Sequence, residues 1–392
     1  MKKNEIVITA AARTAVGSLG KSLKNISSEK LGSIVISETI KRSKLNNKDI
    51  DEVIMGQVLT GGAGQNPARQ ASIKSKIPKE KPAYIVNQVC GSGLRSVASG
   101  FQSIKAGDSK IVLAGGQENM SLAPHAAHLR DGKKLGDIKM IDTMVKDGLW
   151  DAFHDYHMGM TAENVATKFQ VTREDQDKFA LRSQEKTSKA QKEKKFKEEI
   201  VTTKIASKKS EIDFNIDEHP REGVNLETLT RLKPVFKKDG TVTAGNSSGI
   251  NDGAAAVALM SDEEAKTREL KKLVTIKSWA SCGVDPSLMG TGPIPASKKA
   301  LELAGWNIKD IDLFEINEAF AAQSIAVIKT LSIPDEKVNV NGGAIALGHP
   351  IGASGTRILV TLIHEMIKRD SKKGLASLCI GGGMGIAMCI ER

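Results

Sequence analysis

The sequence predicts an α/β fold built from two similar halves, with an insertion inside the first half. Short apolar runs such as 6–9, 111–114 and 375–380 are typical of strands, and amphipathic stretches between such runs are typical of helices. Three short segments recur in the same order about 260 residues further along the chain. Residues from about 120 to 249 have no counterpart in the second copy. Strands and helices in alternation form layered α/β folds.

The repeat defines the domain boundaries that we predict. Similar segments stand at 49–51 and 310–312, at 92–95 and 354–357, and at 113–116 and 379–382. The first half therefore comprises residues 1–119 together with 250–272, and the second half comprises residues 273–392. Residues 120–249 form an inserted loop domain.

The composition excludes several classes of protein. With 392 residues, 40% hydrophobic and 26% charged, the chain is able to bury a large core, which excludes disorder as a whole-chain property. The net charge of +11 favours an anionic partner. Aromatic residues make up only 4% of the chain and no zinc-finger or RNP-like motif occurs, so we expect no nucleic acid. A polyanionic small molecule is the better expectation.

The cysteine and histidine spacings predict neither disulfides nor a metal site. The four cysteines form no Cys-x-x-Cys pair, which is typical of a protein in a reducing cytoplasm. The pairs at 125/128 and 154/157 have a spacing that metal ligands on a helix use, but no third ligand is near, and a helix surface is favoured for His125 and His128. The apolar run 378–390 is too short and too rich in glycine to span a membrane.

Cys90 is the first candidate nucleophile. It follows a predicted strand and precedes Gly91-Ser92-Gly93, where a helix with apolar residues in helical spacing begins. The positive end of a helix dipole favours a thiolate, and glycines let a substrate approach the backbone donors. We therefore expect Cys90 to be a reactive thiolate. An inert buried cysteine is the alternative.

His349 lies in a glycine-rich loop just before the matching helix of the second copy. In the register of the repeat, Cys90 aligns with Gly352, three residues after His349. If the two copies pack around a pseudo-twofold axis, both helix N-termini face one crevice, which brings a base to the nucleophile. A surface histidine in a turn is the alternative.

A second cysteine and an amide complete the candidate set. Cys379 lies near the end of a predicted strand that runs into Gly381-Gly382-Gly383, whose N–H groups are candidate oxyanion donors. Asn317 directly follows the predicted strand 313–316 and is able to position a water or a donor; alone it would indicate a helix cap. Cys282 and Cys389 lack such settings and are interpreted as structural.

Residues 245–249 match the G-x-S-x-G motif of serine hydrolases. The order Ser247, Asp312, His349 even follows that of an α/β-hydrolase triad. The motif requires an apolar strand directly before it, whereas Lys237-Lys238-Asp239-Gly240 precedes it here, so a serine hydrolase is the weaker alternative.

Four motifs together resemble the thiolase family, its acetyl-CoA acetyltransferase type in particular. They are VCGSG around Cys90, NEAF from Asn317, GGAIALGHPIGASG around His349 and LCIGGGMG around Cys379. The resemblance covers residues 6–391 and implies a five-layered αβαβα body with the insertion as a loop domain over the active site. It also implies the condensation of two acetyl-CoA to acetoacetyl-CoA and CoA, without a metal or redox cofactor.

The same resemblance implies roles for individual residues. Cys90, activated by His349, takes the acyl group, and Cys379 moves the α-proton of the second acetyl-CoA. Negative charge on the oxygen of the second thioester would be stabilised by His349 and by a water held by Asn317. Negative charge on the oxygen of the acyl-enzyme would be stabilised by the N–H groups of Cys90 and Gly381.

Coenzyme A contacts are implied mainly in the insertion. The matching positions are Leu149, His157, Met158, Arg221, Thr228, Leu232, Phe236, Ala244 and Ser248, with Met289, Ala319 and Phe320 from the body of the protein. Arg221 suits the adenosine end. Thr228 stands where many relatives have serine.

The segment 150–164, which includes His157, resembles the short-chain biosynthetic type, whose members are commonly tetramers linked through residues near 122–138. A thiolase of broader chain length, serving fatty-acid degradation, is the nearest alternative. Ketoacyl synthases typically lack a second catalytic cysteine, so Cys379 argues against them. A non-enzymatic binding module is the most distant alternative.

Overall fold

The computed structural model describes residues 5–206 and 210–392. The first half begins with three strand–helix units and a further strand, β5, before the insertion. Its elements are β1 (Ile6–Thr14), β2 (Gly17–Ser18), α1 (Ser28–Arg42), β3 (Glu52–Gly56), α2 (Pro67–Lys74), β4 (Ala83–Val86), α3 (Ser92–Ala106) and β5 (Ile111–Asn119). The helix predicted after Cys90 ends where the sequence indicates, because Gly107 adopts a left-handed φ of 88° at its C-terminus.

The insertion consists of short hairpins around three helices. Its elements are β6 (His125–Ala126), β7 (Ile141–Asp142), β8 (Trp150–Asp151), β9 (Tyr156–His157), α4 (Met158–Lys168), α5 (Arg173–Lys192), β10 (Ile200–Val201), β11 (Thr203–Ala206), β12 (Glu211–Phe214) and α6 (Leu226–Thr230). A capping box between Thr172 and Asp175 starts α5, as the sequence predicts. The helix-surface interpretation of His125 is wrong, because this residue lies on β6 and faces Asp142 across the hairpin.

The remainder of the chain returns to the first half and then builds the second. Its elements are β13 (Asn251–Ser261), α7 (Asp262–Thr267), β14 (Val274–Gly283), α8 (Pro293–Ala304), β15 (Leu313–Ile316), α9 (Ala321–Leu331), α10 (Ala344–Leu347), α11 (Ser354–Arg369), β16 (Lys373–Ile380) and β17 (Met384–Glu391).

The strands show the internal repeat directly. The first half has the strand order β1-β13-β5-β3-β4, and the second half has the matching order β14-β17-β16-β15. The first four strands of each half correspond: two antiparallel pairs are followed by a parallel pair, β5 with β3 in the first half and β16 with β15 in the second. The first half has β4 as an additional parallel strand. The two halves join where β1 pairs antiparallel with β14, at Ile6 opposite Ile276.

One small feature shows how closely the halves correspond. The carboxylate of Asp51 accepts two successive N–H groups at the start of β5, both at 3.0 Å. The carboxylate of Asp312 accepts two successive N–H groups at the start of β16, at 2.8 and 2.9 Å. The sequence repeat at 49–51 and 310–312 therefore encodes the same turn twice.

The elements stack in five layers, which confirms the predicted fold class. Helices α1 and α2 cover one face of the first sheet, α3 and α11 lie together between the two sheets, and α8 and α9 cover the outer face of the second. Apolar side chains of α3 and α11 share one core with strands of both sheets. The outer faces of the two sheets have separate cores. The boundaries proposed for the inserted domain remain a prediction.

Helices α3 and α11 approach each other closely at their first turns. A Cβ atom on Gly93 would lie 2.8 Å from the backbone nitrogen of Thr356, and one on Gly355 would overlap the backbone nitrogen of Leu94. The Thr356 hydroxyl donates to the carbonyl of Gly93 at 2.8 Å. The two helix N-termini therefore open toward the same region, as the repeat predicts.

This approach makes a clear stability prediction. Gly355→Ala should lower the free energy of unfolding by about 1–3 kcal/mol, because two buried helix backbones would have to separate. Urea denaturation of the purified protein measures the change. Gly61→Ala is the control, because its nearest neighbour would be Pro124 Cγ at 3.4 Å, an ordinary contact. Equal stability of the Gly355→Ala variant and the control would contradict this interpretation.

Candidate active site

Cys90 lies in a strained turn between β4 and α3. The residue before it, Val89, has φ of 45°, a conformation that β-branched residues rarely adopt. The turn is held by a bond from Gly91 N–H to the carbonyl of Gln88, at 2.9 Å, and by the Ser92 hydroxyl, which donates to the carbonyl of Val89 at 2.6 Å. Strain of this kind is maintained only where surrounding contacts fix it, and it is typical of functional sites.

The Cys90 thiol is partly exposed but lies in apolar surroundings. Val58, Leu59 and Ile351 pack around it, and the N–H groups of Gly381 and of Cys90 itself point to its sulfur. Burial raises the pKa of this thiol to about 11, although the two N–H groups act in the opposite direction. The expectation of a thiolate is therefore wrong for this structure. Cys90 is a neutral thiol at pH 7 and needs a base.

His349 is a buried neutral imidazole in a defined tautomer. The Ser354 hydroxyl lies 2.6 Å from His349 Nδ1 and also donates to the carbonyl of Pro350 at 2.8 Å. Since that hydroxyl has one proton, it must accept from Nδ1–H, which leaves Nε2 unprotonated. Burial lowers the pKa of His349 to about 3, with a contribution from the positive charge of Arg357. Nε2 is therefore available as a proton acceptor.

Asn317 stands beside that free nitrogen. It directly follows β15, is fully buried, and its Nδ2 lies 3.5 Å from His349 Nε2. Its Oδ1 is buried and has no hydrogen-bond partner within residues 5–206 and 210–392. Buried amide oxygens normally have a partner, so this atom is suited to hold a water or a substrate group. The sequence prediction that Asn317 positions a water is consistent with this geometry.

Cys379 lies on β16 opposite Gly385 and is almost fully buried, with 1% of its surface exposed. Burial raises the pKa of its thiol, and the nearby Cys90 raises it further. The two cysteines therefore lie within electrostatic range of each other. At the end of the same strand, Gly382 and Gly383 both have φ of 83°, and this turn presents the N–H of Gly381 to Cys90.

Several predicted coenzyme A contacts surround Cys379. Met158, Met289, Ala319 and Phe320 form one apolar cluster with it. Phe236 packs against this cluster, stacks on His157 with ring centroids 4.6 Å apart, and meets Phe320 edge-on. His157 Nδ1 accepts the N–H of Gly159, and burial lowers the pKa of His157, so this ring is neutral. These predicted positions therefore lie together beside Cys379, and their contact with coenzyme A stays a prediction.

The remaining predicted contacts lie further out. Leu149 packs in the cluster around Cys90, and the N–H of Ser248 donates to the carbonyl of Ala319 at 2.9 Å. Leu232 lies against Gly245, next to the exposed Ala244. Arg221 is exposed and borders a surface cavity of about 700 Å³.

The Thr228 hydroxyl is already hydrogen-bonded at the start of its own helix. Its hydroxyl donates to the carbonyl of Asn225 at 2.8 Å and accepts the N–H of that residue at 3.2 Å, as part of the capping box of α6. A ligand contact through this hydroxyl would have to compete with the cap.

The serine hydrolase motif has no support in the structure. The Ser247 hydroxyl donates to the carbonyl of Thr243 at 2.7 Å, in a loop and not at the end of a strand. The Asp312 carboxylate binds backbone N–H groups at the start of β16, and His349 bonds to Ser354 instead. The three members of the apparent triad therefore serve separate purposes.

Two contributors to the site were not assigned a role from the sequence. Ser354 fixes the tautomer of His349, and its place five residues after that histidine at the start of α11 is the signal that would have identified it. Val89 supplies the strained turn, which no sequence pattern marks.

Two searches of the described residues were negative. No helix in the described ranges is long and apolar enough to cross a membrane. Within the same ranges, no group of three or more histidine, cysteine, aspartate or glutamate side chains is arranged to hold a metal ion.

The fold and site define a class of protein. A thiol in apolar surroundings at a helix N-terminus, a neutral imidazole with an unprotonated nitrogen, and N–H donors at the sulfur are typical of enzymes that transfer acyl groups through cysteine. The family model described as the thiolase N-terminal domain matches residues 6–263, and the model described as the thiolase C-terminal domain matches residues 270–392. The chain belongs to the thiolase family, and it is an acyltransferase.

Individual relatives are similar to this chain over nearly its whole length. An acetyl-CoA acetyltransferase of Paracoccus denitrificans is 58% identical over 98% of this chain and 99% of the relative. The acetyl-CoA acetyltransferase of Rhizobium meliloti is 58% identical over the full length of both chains. The crystal structure of the Bacillus anthracis acetyl-CoA acetyltransferase has a TM-score of 0.97 and 44% identity, covering 99% of this chain and 98% of that one.

A further solved structure comes from another branch of the family. Human mitochondrial 3-ketoacyl-CoA thiolase in complex with CoA has a TM-score of 0.95 and 43% identity, covering 99% of this chain and 98% of that one. The fold alone therefore does not separate the two branches.

The tautomer of His349 generates a prediction. Ser354→Ala removes the acceptor for Nδ1–H, and we expect acyl transfer to Cys90 to slow roughly tenfold, which corresponds to the loss of one buried hydrogen bond of about 1.4 kcal/mol. Rapid-quench measurement of the acylation step tests this. Ser297→Ala is the control, because the buried Ser297 hydroxyl has no partner among the residues described. An unchanged rate for Ser354→Ala would contradict the tautomer assignment.

Proposed function

We propose that this protein catalyses the reversible condensation of two acetyl-CoA molecules to acetoacetyl-CoA and CoA. The observation that carries the proposal is the proximity of the two thiols of Cys90 and Cys379, with the N–H of Gly381 at the Cys90 sulfur, together with a neutral His349 whose Nε2 lies beside Asn317. Relatives named acetyl-CoA acetyltransferase, 58% identical over essentially the whole chain, support the choice of substrate.

The first half-reaction transfers an acetyl group to Cys90. His349 Nε2 takes the thiol proton as the sulfur attacks the thioester carbonyl, so the thiolate forms only as the reaction proceeds. The N–H groups of Cys90 and Gly381 are placed to receive the negative charge on the carbonyl oxygen. The tetrahedral intermediate collapses and the bond to the CoA sulfur breaks. The leaving CoA thiolate then takes the proton that His349 had accepted from Cys90.

The second half-reaction forms the carbon–carbon bond. The Cys379 thiol first passes its proton to Nε2 of His349, and the thiolate then removes an α-proton from a second acetyl-CoA; the raised pKa of Cys379 makes this thiolate a strong base. The enolate oxygen is stabilised by the Nε2–H that His349 now has and by a water bound to Oδ1 of Asn317. The enolate carbon attacks the acetyl-cysteine, the bond to the Cys90 sulfur breaks, and the departing thiolate takes the proton from His349, which restores both thiols and the neutral imidazole. No metal or redox cofactor takes part in these steps.

The CoA part of the substrate is proposed to bind mainly against the insertion. The side chains proposed at the acyl and pantetheine end are Leu149, His157, Met158, Phe236, Ser248, Met289, Ala319 and Phe320. Leu232, Ala244, Thr228 and Arg221 would contact the remainder of CoA, with Arg221 at the adenosine end. The net charge of +11 supports an anionic substrate.

Location and assembly are further parts of the proposal. We infer a cytoplasmic protein and a tetramer assembled as a dimer of dimers. Support for assembly comes from large apolar side chains exposed in the segment 122–138, among them Leu135 with 93% of its surface accessible.

The direct test is cleavage of 3-ketoacyl-CoA by CoA, followed as loss of absorbance. The proposal predicts fast cleavage of acetoacetyl-CoA, slow cleavage of a longer 3-ketoacyl-CoA, and no cleavage by Cys90→Ala. Cys282→Ala is the matched control and should keep full activity, because Cys282 packs against the outer core of the second half and not in the cluster around Cys379. Preference for the long substrate would move the assignment to fatty-acid degradation, and no cleavage of either would contradict thiolase activity.

The apolar cluster around Cys379 makes a prediction about chain length. Met289→Ala should raise the ratio of kcat/KM for 3-ketohexanoyl-CoA to that for acetoacetyl-CoA roughly tenfold, because the cavity would accommodate about two methylenes at ~0.8 kcal/mol each. Steady-state kinetics with both substrates measures this ratio.

Met260→Ala is the control for this experiment. Met260 is fully buried in the outer core of the first half, so its loss destabilises the fold without changing the pocket. A rise in the ratio for both variants, or for neither, would show that Met289 does not limit the acyl group.

A further inference from the structure

The loop that carries His349 belongs to the second half, yet two side chains of the first half hold it. The N–H of His349 donates to Oδ1 of Asn251 at 2.9 Å, and the N–H of Gly352 donates to Oε2 of Glu118 at 2.9 Å. Both acceptors are fully buried. The loop is therefore fixed at two backbone positions, one at the histidine itself and one at the residue that aligns with Cys90.

The Asn251 side chain is itself held in the position that this hydrogen bond requires. It is the first residue of β13, and its Nδ2 donates to the carbonyl of Gly17 at 3.0 Å, so both ends of the amide are bound. The residue before the histidine, Gly348, has φ of 101°, and a Cβ atom there would lie 2.6 Å from Asn251 Oδ1. A glycine at 348 is thus required both by the backbone conformation and by the Asn251 side chain.

Glu118 provides the second attachment. It lies near the end of β5 and also accepts the N–H groups of Val58 and Leu59, at 3.0 and 3.2 Å. Its carboxylate thus joins a loop of the first half to Gly352 of the second. A Cβ atom on Gly352 would lie 2.5 Å from Glu118 Oε2, so the approach is again close.

The ring of His349 and the backbone of its loop are consequently held at three places. Ser354 orients Nδ1, Asn251 holds the backbone nitrogen, and Glu118 holds the backbone three residues later. We propose that Asn251 is a positioning residue for His349, which it holds at the correct place relative to Cys90, with Glu118 as the second attachment. This inference rests on the proposed role of His349 as the base in acylation. Displacement of a base by about 1 Å is sufficient to slow a reaction as much as 100-fold.

A double-mutant cycle tests the inference, with the acetylation rate of Cys90 measured by rapid quench. Asn251→Ala should lower this rate constant about 10- to 100-fold and change the KM for acetyl-CoA less than about twofold. In a His349→Ala background the same substitution should change the rate less than about twofold, because Asn251 acts only through His349. Independent effects that multiply in the double variant would overturn the inference.

The same cycle separates this inference from the proposed function. If His349→Ala acetylates Cys90 as fast as the unsubstituted protein, the proposed base is wrong and the inference falls with it. If His349→Ala is slow but Asn251→Ala is not, the proposed function stands and only the inference is overturned.

Two further variants distinguish a positioning role of Asn251 from a general loss of folding. Asn251→Asp keeps an oxygen acceptor for the His349 N–H and should stay within about threefold of the native rate, whereas a loss as large as that of His349→Ala would contradict the proposal. Asn119→Ala is the matched control. This buried side chain donates to the carbonyls of Leu23 and Ile26 and accepts the N–H of Leu122, none of which belongs to the loop of His349. It should lower the melting temperature without changing the rate.

Discussion

The close approach of α3 and α11 is the constraint on which the candidate site depends. These helices cross at Gly93 and Gly355, where neither residue has a side chain that would separate the backbones. Cys90 lies just before the first of these helices, and His349 lies five residues before the second. A duplicated domain thus places a thiol from one copy and an imidazole from the other at a common junction. The insertion supplies Met158 and Phe236 to the apolar cluster beside Cys379, and the body of the protein supplies Met289 and Phe320.

Burial at this junction determines the charge state of the reacting groups. The pKa values of both thiols are raised and that of His349 is lowered, so each group is neutral before reaction. Charge then appears only during acyl transfer, next to N–H groups that already point to the Cys90 sulfur. Donors that are oriented in advance in a site with little water stabilise such charge more effectively than water does. A free thiolate, which the helix dipole alone would favour, is not needed in this arrangement.

Much of the fold is encoded in local patterns. The apolar runs at 6–9 and 111–114 predicted strands, Gly107 predicted the end of α3, and Thr172 with Asp175 predicted the start of α5. The repeat predicted that both helix N-termini face one crevice. These features depend on neighbours in the chain, which is why sequence reasoning finds them.

Features that depend on distant partners were missed or wrong. The neutral Cys90 thiol results from apolar residues of several loops, and its burial outweighs the local helix dipole. His125 follows helical spacing but pairs with Asp142 in a hairpin. The attachment of His349 to Asn251 joins residues 98 positions apart, a relation that no local pattern records.

The most direct test of the account is to locate the acyl group on the protein. Cys379→Ala should be incubated with acetyl-CoA, digested and examined by peptide mass spectrometry. The account predicts an acetyl thioester on the peptide that contains Cys90, which accumulates because the next step lacks its base. Acetylation at Cys282 or Cys389 alone, or no acetylated peptide from the folded Cys379→Ala variant, would contradict the assignment of Cys90 as the nucleophile.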